Sequence, residues 1–99
     1  MITKTYSKTG KSCRVTFKYT PETEGTEKVV LLGDFNEWGA EKLEMKKRKA
    51  GHFSVSVQLD AKRDYQFRYF INDQEWSNGE GADSLTPNTF GTKNAVLSL

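Results

Sequence analysis

At 99 residues with a formal net charge of +2, the chain is long enough for a single small domain and too weakly charged to imply a nucleic-acid footprint. Hydrophobic content of 35% and aromatic content of 12% suit one globular core that leans on rings. A lone Cys13 excludes a disulfide framework, and with no secretory or membrane-spanning run we expect one cytoplasmic domain over 1–99, free of membrane.

Residues 1–11 carry no sustained pattern and are expected to be loosely ordered. "CRVTFKY" then alternates, with Val15, Phe17 and Tyr19 on one face and Arg14, Thr16 and Lys18 on the other. After the polar turn "TPETEGT", the apolar run "KVVLLG" reads as a strand covered on both faces. "GDFNEW" follows as a turn that contains a tryptophan, with Phe35 and Asn36 expected to pack and hydrogen-bond inside it. "KLEMKKR" reads as a charged edge strand, and its basic run as a solvated arm. "GHFSVSVQL" points Phe53, Val55, Val57 and Leu59 inward. "YQFRYFIN" places Tyr65, Phe67, Tyr69 and Ile71 on one face and Gln66, Arg68 and Phe70 on the other. Residues 77–92 form a long loop, expected to be ordered against something, and "NAVLSL" ends the chain as a strand. No segment keeps a helical period. The fold class is all-β, an antiparallel β-sandwich of roughly seven or eight strands with negligible helix.

The chemistry of catalysis is missing. Asp34, Glu37, Glu75 and Asp83 show no spacing that singles out a carboxylate pair. No metal-ligand spacing, phosphate-cradling loop or nucleophile motif occurs, so catalytic residues, metals and cofactors are all predicted to be none. The stretch from Asp73 to Ser84 lacks the sixth-position glycine and twelfth-position acid of a calcium loop. What remains is a set of aromatic and polar positions at strand ends and loops: Trp38, Arg68, Trp76, Phe90, Thr92 and Asn94. An exposed ring can stack on the C–H face of a pyranose, while amides and a guanidinium serve the hydroxyls at its edge. The alternative is that both indoles plug the ends of the sandwich.

"VVLLGDFNEWG", "YQFRYFINDQEW" and "FGTKNAVLSL" together resemble the early-set domains of carbohydrate-binding module family 48, which include the glycogen-binding domain of AMP-activated protein kinase β subunits and the N-terminal domains of isoamylases and branching enzymes. The resemblance runs from about Lys28 to Leu99, and the block "ADSLTPNTFGTKN" is similar to small stand-alone bacterial proteins of that type. It implies an immunoglobulin-like early-set sandwich that binds α-1,4-glucan chains such as glycogen without cutting them. The stacking tryptophans of the family fall on Trp38 and Trp76, and its basic residue on Arg68. Its leucine, threonine and asparagine fall on Phe90, Thr92 and Asn94. A glucan-metabolising enzyme is the further partner that the resemblance implies.

A rival expectation is a scaffolding or interaction domain of a glucan-metabolising or kinase-like assembly, with little sugar affinity. "VVLL" favours it, because something must cover the outer of its two apolar faces.

Overall fold

Residues 2–21, 25–38, 43–78, 81–88 and 91–99 are described by the structure, a computed structural model. In chain order the strands are β1 (Ile2–Tyr6), β2 (Ser12–Tyr19), β3 (Val29–Gly33), β4 (Leu43–Glu44) and β5 (Lys46–Lys47). They continue as β6 (Phe53–Asp60), β7 (Asp64–Ile71), β8 (Glu75–Ser77), β9 (Ser84–Pro87) and β10 (Lys93–Ser98). All pairs are antiparallel. One sheet has the order β1-β2-β6-β5, and the other β4-β3-β7-β10-β9 with β8 pairing to β7. The all-β antiparallel sandwich is therefore what the chain forms. The helical content among the described residues is a single 3-10 turn over Asp34–Asn36.

Alternation builds the core. Cys13, Val15 and Phe17 of β2 meet Tyr65, Phe67, Tyr69 and Ile71 of β7, with Ala95 and Leu97 of β10 beside them. The Phe67 ring makes an edge contact with Phe17 at 5.2 Å and with Tyr69 at 5.8 Å. Burying each such side chain contributes about 1.5–3 kcal/mol, so these few rings dominate the stability of a domain this small. The Tyr69 hydroxyl is buried without a hydrogen-bond partner among the described residues. Burial first, and neighbouring Tyr19 second, push its pKa up, so it stays neutral at physiological pH.

Several expectations are corrected. "KLEMKKR" is not one edge strand: β4 belongs to one sheet and β5 to the other, with Met45 buried between them. The apolar Met45 side chain drives the switch by dropping into the core, and its N–H donates to the Val29 carbonyl at 2.8 Å. Within the segment 1–11, Ile2–Tyr6 pair with β2 and Ile2 packs against the core. The loop 77–92 contains β9, which satisfies the edge of β10, so the strands number ten rather than seven or eight among the described residues. The outer face of "VVLL" is covered within the chain itself, where outward Val30 and Leu32 are only 5% and 9% exposed.

At the edge opposite β4 and β5, Lys4 lies across from fully buried Val15 and so points between the sheets. Its ammonium donates to Asp83 Oδ2 at 2.7 Å and to the Ser98 carbonyl at 2.9 Å. Burial alone would raise the Asp83 pKa. The bonds from Lys4 and from the Ser98 N–H, with the ammonium charge, outweigh burial and hold it below the usual carboxylate range. A depressed carboxylate contributes stability above its unfolded pKa of about 3.9, and that contribution is lost as pH falls through the folded value. Asp83→Asn should therefore melt below the wild type at pH 6. The two melting temperatures should converge as pH drops toward about 2–3, and a gap that persisted there would contradict the ion-pair account.

Candidate functional site

The outer face of the larger sheet carries the site. On β7 the residues that alternate with the core, Gln66 and Arg68, face outward. Trp76 of β8 lies across from Phe70, and their rings pack with centroids 4.6 Å apart and a tilt of 37°. The Arg68 guanidinium sits 5.4 Å from the Trp76 ring, which holds the cation against the indole face. Asn94 reaches outward from β10, because its neighbour Ala95 pairs with inward Phe67.

Trp38 arrives from the 3-10 turn. Gly33, at the end of β3, is what lets that turn lie against β7: a Cβ there would come within 2.6 Å of the Gln66 carbonyl oxygen and 2.9 Å of the Phe35 ring. Phe35 turns inward and packs on Phe17 and Tyr65 at 5.7 and 6.2 Å. Buried Asn36 accepts the Gly33 N–H and donates to the Leu31 carbonyl, both at 2.9 Å. Glu37 and Trp38 then take left-handed backbone, φ 51° and 56°, which β-carbons disfavour. The Trp38 N–H closes the turn on the Gly33 carbonyl at 2.9 Å. With Phe35 and Asn36 turned inward, Trp38 is left 38% exposed.

A chain of side-chain hydrogen bonds crosses the face. Asn94 Nδ2 donates to Gln66 Oε1 at 3.1 Å, and Asn88 Nδ2 donates to Asn94 Oδ1 at 3.0 Å and to Thr92 Oγ1 at 2.8 Å. Arg68 Nη1 donates to the same Thr92 hydroxyl at 3.4 Å. These groups and both indoles line one concavity of about 920 Å³, with Pro87 beside them. Its described lining holds one cation and no carboxylate. Such a surface suits a neutral ligand with apolar faces and a rim of hydroxyls, because amides and hydroxyls both donate and accept. Among the described residues, no group of three or more His, Cys, Asp or Glu could hold a metal ion.

Five of the six positions singled out in the sequence, Trp38, Arg68, Trp76, Thr92 and Asn94, thus come together in one hollow. Phe90 lies outside the described residues. Sequence reasoning missed Gln66, Pro87 and Asn88. Gln66 was open to discovery, since it shares the outward face of β7 with Arg68 two residues on. Nothing in the pattern marks Pro87 or Asn88.

Residues 13–99 match the profile of a family described as the glycogen recognition site of AMP-activated protein kinase. No curated protein sequence matches the chain significantly.

Proposed function

We propose, because the chain belongs to the family of the glycogen recognition site of AMP-activated protein kinase, that it is a non-catalytic module that binds α-1,4-glucan chains. The observation that carries this reading is the gathering of two half-exposed indoles and a network of amide, hydroxyl and guanidinium groups around one concavity. Trp38 and Trp76 offer ring faces to the C–H surface of glucose units, while Gln66, Arg68, Thr92 and Asn94 meet the hydroxyls. Glycoside hydrolysis needs a pair of carboxyl groups flanking the bond, and the described lining contributes none. The cytoplasm, where glycogen-like chains are made and degraded, is the compartment this role fits.

Binding should be weak, because an open face leaves much of the ligand in water and hydroxyl hydrogen bonds largely exchange with those of water. We expect about 4–7 kcal/mol for a short maltooligosaccharide, roughly millimolar to ten micromolar. Calorimetric titration with maltooligosaccharides, beside cellooligosaccharides and at two salt concentrations, tests the reading. Affinity should favour the α-linked series and change little with salt, since a neutral ligand releases no condensed counterions. Equal affinity for both series, or no affinity for either, would remove α-glucan as the ligand.

A further inference from the structure

Of the two tryptophans at the concavity, Trp76 is carried on a strand and Trp38 on a turn. A large side chain on a turn presents a fixed ring face only if something outside its own backbone holds it. Asp34 is placed to do so. Its Oδ1 accepts the Trp38 Nε1–H bond at 2.9 Å, and its Oδ2 accepts the backbone N–H of Gln66 at 2.8 Å. Gln66 belongs to β7 and itself lines the concavity, so one carboxylate joins the turn that carries Trp38 to the sheet beneath the site.

We propose that Asp34 is a positioning residue of the site: by bridging the Trp38 indole N–H to the Gln66 backbone, it sets the angle at which Trp38 offers its ring. The role rests on the reading of the concavity as a glucan site. It demands aspartate specifically. Two N–H donors face two carboxylate oxygens, whereas an asparagine has one acceptor oxygen and would turn its NH₂ toward a donor. The bridge also occupies the single hydrogen-bond donor of the indole. Trp38 therefore reads the apolar face of a sugar and leaves its hydroxyls to Gln66, Arg68, Thr92 and Asn94.

The protein has two indole N–H groups, so a nitrogen-15 correlation spectrum shows two indole signals, assigned by Trp38→Phe. In Asp34→Ala the Trp38 signal should shift and exchange with water faster, while the Trp76 signal stays in place. Maltooligosaccharide affinity should fall about two- to tenfold, the cost of ordering one freed side chain on binding. In the Trp38→Phe background, which keeps a ring but no N–H, the same Asp34→Ala change should cost less than about twofold, because the partner it acts through is gone. An unmoved Trp38 signal overturns the proposal. So does an unchanged affinity in Asp34→Ala, or a loss of the same size in both backgrounds. Should Asp34→Ala fail to fold, Asp34→Asn, which keeps one acceptor, carries the same readouts and the same expected direction. If the wild type binds no glucan, the functional reading falls, and the indole signals alone decide whether Asp34 holds Trp38.

Discussion

Trp38→Ala and Trp76→Ala should each lower maltooligosaccharide affinity about five- to a hundredfold, taking the 1–3 kcal/mol measured for bases stacked on aromatic side chains as the guide. From a starting constant in the micromolar to millimolar range, that loss would look like no binding. The structure separates the two variants by their effect on stability. Trp38 is 38% exposed on its turn, so its removal leaves no core cavity and should cost within about 1 kcal/mol. Trp76 is 46% exposed but packs its ring against Phe70 with centroids 4.6 Å apart, and losing that pair should cost about 1–2 kcal/mol. Indoles that plugged the sandwich would instead cost about 3–5 kcal/mol each. Thermal melts beside titrations distinguish the cases. Strongly lowered melting with affinity intact in the folded fraction would end the platform account and favour the scaffold reading.

Phe67→Ala should be the most damaging single truncation for stability, at about 3–5 kcal/mol. The Phe67 ring is fully buried and sits at the centre of the edge contacts with Phe17 and Tyr69. A small domain has a total stability near the lower end of about 5–15 kcal/mol, so most of it would be gone. Because each kcal/mol moves the midpoint of a domain this size by roughly 4–8 °C, melting should fall by at least roughly 12 °C. A fall of only a few degrees would mean that the ring is not where the core concentrates. Phe67 also lies between Gln66 and Arg68 on β7, so any folded remnant should bind glucan less well.

The strands that could be read from the sequence were those long enough for a period of two to repeat. β2 and β7, eight residues each, show four inward positions apiece, and the alternation gave the facing of all of them except Cys13, which is fully buried. The two-residue strands β4 and β5 carry no period at all, so their division between sheets could not be read. β9 escaped for a related reason: "SLTP" sits among glycines and asparagines, and only its pairing with β10 makes it a strand. β1 was passed over because five residues of "ITKTY" alternate too briefly to outweigh their polarity. For the site, the residues with distinctive chemistry could be named in advance. Gln66 could have been added from the face it shares with Arg68, but Asn88 could not, because an isolated amide looks the same in sequence whether it is solvated or part of a network. Asp34 was considered only as a candidate acid and set aside. Its actual partners, an indole four residues away and a backbone 32 residues away, are set by the turn and the sheet register.

The crossing at Met45 gives the sandwich the build of a book. Along one long side, a single residue of backbone binds the two covers like a spine. Along the other, Lys4 fastens them to Asp83 and Ser98 like a clasp. Covers bound this way are expected to part at the clasp, with β1 the strand to lift first. Every described residue around the concavity belongs to one cover or to the loops that leave it, and none to the cover that holds β1. A disturbance that loosens the clasp, whether acid or a pull on the edge strand, would wet the core before it touched the printed side of the page.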